Sequence, residues 1–118
     1  MTATFTKRAL SGSTSGRGIK VVQTGTAGTT IHTSVSGTSD FDEIWIYAFN
    51  GHTSSLVLTL EWGGATVPDD NIVCTIPAAA GLQLVAPGLL LQNGCILKAF
   101  AGTANKIVLY GFVNRITA

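Results

Sequence analysis

The stretch Phe41-Asp42-Glu43-Ile44-Trp45-Ile46-Tyr47-Ala48-Phe49 decides the fold class. Successive side chains of an extended chain point to opposite faces. Ile44, Ile46 and Ala48 therefore share one face, and Phe41, Trp45, Tyr47 and Phe49 share the other. Aromatic and β-branched residues in that alternation make a strand. No segment of the chain repeats apolar residues at helical spacing over several turns. Ala78-Ala79-Ala80 is too short to nucleate a helix and ends at Gly81.

Working outward, further short apolar runs follow at 19–23, 29–35, 56–62, 72–76, 82–86, 89–92, 95–101 and 107–116, punctuated by Gly, Pro, Asn and Asp. Short strands at regular spacing predict an all-β antiparallel sandwich, jelly-roll-like in organisation, over residues 19–118. Asn93-Gly94 has the residues of a two-residue hairpin turn, since both accept positive φ. Asn50-Gly51 and residues 102–105 are the other turn signals, and antiparallel hairpins are expected at all three. In the run 56–62, Leu56, Leu58, Leu60 and Trp62 alternate with Val57, Thr59 and Glu61, the pattern of a sheet with one wetter face.

Residues 1–18 are set apart. The stretch 11–18, Ser-Gly-Ser-Thr-Ser-Gly-Arg-Gly, has no periodicity and no large apolar side chain. These 18 residues read as a flexible or partner-bound arm, whose extended reach is on the order of 60 Å. That exceeds the radius of gyration of a domain this size, about 13 Å.

The second faces of two strands make the same point about neighbours. Phe41, Trp45, Tyr47 and Phe49, and then Val108, Tyr110, Phe112 and Ile116, are apolar on the side away from Ile44, Ile46, Ile107, Leu109 and Val113. In a two-layer sandwich only one face meets the core, so the other needs cover from the arm, a loop or another subunit.

Charge is segregated. All 6 acids, Asp40, Asp42, Glu43, Glu61, Asp69 and Asp70, lie mid-chain, and no Lys or Arg occurs between Val21 and Leu97. Lys7, Arg8, Arg17 and Lys20 precede them. Only 11% of residues are charged, against about 25% in a typical soluble domain. This fits a surface largely covered by neighbours. The expected contact is a basic arm, carrying Lys7, Arg8, Arg17 and Lys20, docking on Asp40, Asp42 and Glu43 of an adjacent subunit, with Trp45, Tyr47, Tyr110 and Phe112 buried between chains.

Little else points to chemistry. His32 and His52 each fit an ordinary polar position, and no Gly-x-Ser-x-Gly elbow is present. The acids match no calcium loop, and a carboxylate pair from Glu61 with Asp69 or Asp70 has no visible cleft. Cys74 and Cys95 are too few for a zinc site and read as buried thiols, with a disulfide open only if their strands are neighbours. The glycines form no phosphate loop, and the basic residues form no strip with interleaved aromatics. No catalytic residue, metal ligand, cofactor, nucleic acid or membrane partner is expected. No apolar run reaches the roughly 18 residues of a membrane span, and the N-terminus shows no signal-peptide core. The chain is expected to be made in the cytosol.

The leader 2–18, the aromatic strand 41–49 and the ending Ile107-Val108-Leu109-Tyr110-Gly111-Phe112-Val113-Asn114-Arg115 together resemble the small β-sandwich virion proteins of tailed bacteriophages. These are the capsid decoration, or cement, proteins and related head accessory subunits. The resemblance is one of style over nearly the whole chain, with no diagnostic motif and no site residue to carry over. It implies a non-enzymatic subunit on the capsid surface that binds the major capsid protein. Such subunits are often trimers at local three-fold axes with an arm crossing subunit boundaries. The other expectation is a carbohydrate- or receptor-binding module of a phage tail, in which Trp45, Trp62 or Tyr47 would line a groove with Asp69, Asp70 and Asn71.

Overall fold

The computed structural model describes residues 3–118. Its strands are β1 (Thr4–Ala9), β2 (Ile19–Lys20), β3 (Thr29–Thr33), β4 (Phe41–Asn50), β5 (Leu56–Trp62), β6 (Asn71–Ile76), β7 (Gln83–Leu91), β8 (Ile96–Ala101) and β9 (Ile107–Thr117). They form two antiparallel sheets packed face to face. The five-stranded sheet has the order β1-β9-β4-β7, with β2 also on β9; the four-stranded sheet has the order β3-β8-β5-β6. β1 pairs with residues 112–117 of β9 and β2 with residues 108–109. Since β4 occupies the other side of β9, β1 and β2 lie end to end along one edge.

The core is the expected set of inward faces. Ile44, Ile46 and Ala48 on β4, Ile107, Leu109 and Val113 on β9, and Leu58 and Leu60 on β5 are all fully buried. Burying one such aliphatic side chain contributes roughly 1.5–3 kcal/mol. At Gly111, paired with Ile46, a Cβ would collide with the backbone of Trp45 and Ile46. Only glycine lets β4 and β9 approach there.

The connections differ from the sequence reading. Asn50-Gly51 joins β4 to β5, residues 102–105 join β8 to β9, and Asn93-Gly94 lies between β7 and β8. All three cross from one sheet to the other instead of closing hairpins. The turn chemistry at Asn93-Gly94 is nonetheless as expected, with φ of 64° and 69°. The chain reverses there, and the Asn93 and Gly94 amides then donate to the carbonyls of Gly37 and Val35 at 2.9 Å each. A turn sets the local reversal; the packing of the following strand's apolar face decides which sheet receives it. The hairpin between consecutive strands among the described residues is β5–β6.

Two expected strands also merge. Residues 82–86 and 89–92 belong to one strand, β7, because Gly88 (φ 75°) is an extra residue between the pairs Ile44–Leu89 and Trp45–Pro87. A bulge absorbs the break that Pro87-Gly88 signals in sequence. β7 is an edge strand, where proline's missing N–H is harmless.

From residue 3 onward the segment read as an arm lies along its own body; residues 1 and 2 lie outside the described residues. Its residues 4–9 are β1, every one of them exposed, held by the ladder to β9. Leu10, which follows, is only 2% exposed. Beyond it the Gly12 amide donates to the Ile31 carbonyl at 2.9 Å, the Ser11 amide to His32 Nδ1 at 2.9 Å, and the Thr33 amide to Ser11 Oγ at 2.7 Å. Leucine at position 10 is the apolar anchor that the polar composition of 11–18 conceals.

Candidate functional site

The outward face of the five-stranded sheet carries most of the aromatic residues that the sequence singles out. Register places Trp45 beside Phe112, Tyr47 beside Tyr110 and Phe41 beside Ile116. β7 adds Leu84 opposite Tyr47 and Leu90 opposite Glu43, and β1 adds Phe5 opposite Ile116. The rings of Trp45 and Phe112 stack with centroids 6.2 Å apart and planes 14° apart, an arrangement worth about 0.5–1.5 kcal/mol beyond area burial. Lys7 Nζ lies 4.3 Å from the centroid of the Phe112 ring, within cation–π range. The edge of the Trp45 indole rests on Gly88, where a Cβ would come within 2.9 Å of it.

Cover from within the chain is partial. Gly18 lies against Val108 and Tyr110, so the leader shields one end of the face. Phe5 (67%), Leu90 (50%) and Leu84 (48%) remain open to solvent, as does Tyr110 (39%) beside the leader. Ten residues of β4 and four adjacent strands make a face of roughly 34 by 14 Å from strand rise and spacing. That is the extent of the whole face, in which Lys7, Glu43 and Asn114 are set among the apolar side chains.

Of the basic residues, Arg17 and Lys20 come together at the edge of this face. They line a cleft of about 600 Å³ with Thr14, Gly18 and Tyr110, in the gap where the chain leaves β1 and returns as β2. Lys7 is on the aromatic face, and Arg8 points to the other side of β1.

The three acids expected to receive an arm are engaged within the chain. Asp42 is fully buried, so it offers nothing to a neighbour. It sits on the inward side of β4 by the same parity as Ile44 and Ile46. Its Oδ1 accepts from Arg115 Nε at 2.8 Å, and its Oδ2 from Arg115 Nη2 at 3.0 Å, His32 Nε2 at 2.7 Å and the Val35 amide at 3.1 Å. Burial pushes this carboxyl's pKa up, but the hydrogen bonds from Arg115 and His32 and the charge of Arg115 outweigh burial and hold it below its ordinary value. Glu43 Oε1 accepts from Trp45 Nε1 at 2.9 Å and Asn114 Nδ2 at 3.0 Å, which lower its carboxyl too. Asp40 Oδ1 accepts from the Ala118 amide.

The resulting cluster links the sheets: His32 is on β3, Asp42 on β4 and Arg115 on β9. It does not form a hydrolytic triad. His32 Nδ1 accepts a backbone amide, leaving the ring proton on Nε2 for Asp42, and the imidazole is 2% exposed. At the far end of β4, Asn50 does equivalent work: its Nδ2 donates to the carbonyls of Ile76 and Ser54 at 2.9 and 3.0 Å, and its Oδ1 accepts from the His52 amide at 2.8 Å.

The remaining residues fall elsewhere. Trp45 and Tyr47 are on the outer face of one sheet while Asp69, Asp70 and Asn71 border the other, so those two form no groove with them; Trp62, whose amide donates to the Asp70 carbonyl at 2.7 Å, is the one of the three aromatic residues beside them. Asp70 closes the β5–β6 loop, accepting the Thr66 amide at 3.1 Å. β5 lies between β6 and β8, so Cys74 and Cys95 are not on neighbouring strands; both are free, and burial pushes the Cys74 thiol up. Among the described residues no group of three or more His, Cys, Asp and Glu could hold a metal ion, and no helix is long and apolar enough to cross a membrane. The chain matches no family model, no curated protein and no solved structure.

Proposed function

We propose that this chain is a structural subunit of a tailed-phage virion, a capsid decoration protein that binds the major capsid protein and neighbouring copies of itself, as a trimer. The observation that carries the reading is the partly uncovered aromatic face on the five-stranded sheet. Phe5, Leu84, Leu90 and Tyr110, open together on one face, give an assembling subunit apolar surface to bury. β1 supports it as well: a strand with no buried side chain is held mainly by main-chain bonds and can pair the same way with a neighbour. The subunit acts mechanically, through many weak contacts that add by multivalency.

The strand order supports the jelly-roll reading of the sandwich. Counting β1 and β2 as one interrupted strand leaves two four-stranded sheets, and the chain alternates between them at every connection from β2 onward except β5–β6. The test is assembly. Leu84→Lys with Leu90→Lys places two charges on the open face without touching the core. Sedimentation should show trimers for the parent and monomers for the variant, and only the parent should bind capsids stripped of accessory proteins. A parent that stays monomeric and ignores capsids overturns the proposal.

A further inference from the structure

The opposite side of the sandwich, the outer face of the four-stranded sheet, holds a cleft of about 330 Å³. Glu61 and Lys98 lie across from each other in the β5–β8 ladder and both line it, with Gly64, Ala27, Ala65 and Ile96 around them. Glu61 belongs to the face expected to be wet, yet it is 2% exposed. The chain between β2 and β3 folds over it: Thr26 Oγ donates to Glu61 Oε2 at 2.9 Å and the Gly28 amide to Oε1 at 2.7 Å. Among the described residues its carboxylate has no ion-pair partner; the salt bridges are those of Asp42.

Buried charges are ordinarily paired or bound to a ligand. A carboxylate has about four lone-pair sites, and Thr26 and Gly28 occupy two of them. Glu61 lines the cleft, so the capacity left over is within reach of a small donor there, and Lys98 stands on the same wall. The pair has no net charge. A cationic ligand would meet Lys98, and an anionic one would meet Glu61. A group that donates to the carboxylate and accepts from the ammonium satisfies both, and adjacent hydroxyls do that. Ala27, Ala65 and Ile96 offer the apolar contact that the C–H face of a ring needs. The volume is at the small end of ligand clefts, about 300–1,000 Å³, and suits one ring.

We infer that this cleft binds a single sugar residue, with Glu61 accepting from its hydroxyls and Lys98 donating to a neighbouring oxygen. The site faces away from the aromatic face, so it remains open when that face is covered, and it stands or falls independently of the assembly reading.

The experiment is a heteronuclear NMR titration of the intact protein with methyl glycosides of glucose, galactose, mannose and N-acetylglucosamine. At least one glycoside should shift the amides of residues 27–28, 63–65 and 94–98, with millimolar affinity. Ala65→Trp fills the cleft without touching Glu61, Thr26 or Gly28 and should abolish those shifts. Glu61→Gln should weaken binding by about tenfold or more, the equivalent of one charge-assisted hydrogen bond. Lys98→Met, which leaves the loop contacts intact, should weaken binding as well. Thermal melts establish that each variant is folded. The inference is overturned if no glycoside shifts these amides, if the shifts survive Ala65→Trp, or if methylguanidinium or acetate binds there in preference to every glycoside.

Discussion

Replacing Asp42 with asparagine keeps the shape of the side chain and removes the charge at the centre of the inter-sheet cluster. The carboxylate accepts two bonds from Arg115, one from His32 and one from the Val35 amide. An amide presents an NH₂ group to donors on one side, so at least one buried donor is left facing a donor. Removing one member of a buried pair costs about 3–5 kcal/mol. The Arg115 side chain is 23% exposed and regains some water, which places Asp42→Asn near the low end, about 3 kcal/mol. With an unfolding entropy of about 2.1 cal/mol/K per residue, a chain of 118 residues should melt roughly 12 °C lower. Thermal and urea unfolding followed by tryptophan fluorescence measure both quantities. The effect should also depend on pH. The folded carboxyl is more acidic than the unfolded one, whose ordinary value is 3.8. Its contribution is therefore complete at neutral pH and lost as pH falls below about 4 through the folded value. Parent and variant should differ most above pH 5 and converge in acid. A loss under about 1 kcal/mol at pH 7, or a gap that does not narrow in acid, would refute the assignment of Asp42 as the clasp between the sheets.

Other perturbations separate the remaining parts. Gly111→Ala should cost about 2 kcal/mol or more, because the new methyl meets backbone on β4; denaturant melts read it directly. Asn50→Ala orphans the Ile76 carbonyl at the other end of β4 and should cost about 2 kcal/mol by the same assay. Deleting residues 2–9 should leave the sandwich folded, since β1 buries no side chain. Extending the cut to residue 18 should lower stability by about 3 kcal/mol more, because Leu10 and the Ser11 bond to His32 are lost; equal melting of the two truncations would contradict the anchoring of Leu10.

The sequence by itself determined the strand content, the two faces of β4 and β9, and hence the layered all-β fold. Those are local properties, set by a side-chain period of two. The same parity places Asp42 with Ile44 and Ile46, and Arg115 with Val113, so the inward turn of both charges was legible in the sequence. What the alternation does not carry is a partner. His32, on a strand of the other sheet, became visible as the third member only when β3 packed beside β4. The crossing turns illustrate the same limit. Asn93-Gly94 encodes a reversal of the chain, but which sheet the next strand joins depends on where its apolar side is buried. Glu61 reads as a wet position in a strand with one polar face; it is buried because a loop from before β3 folds across it. Leu10 is a lone apolar residue in a polar leader until Ile31 and His32 are brought beside it. Periodicity is written in neighbouring residues, whereas pairing, cover and clefts arise between segments far apart in the chain, and only the tertiary structure decided those.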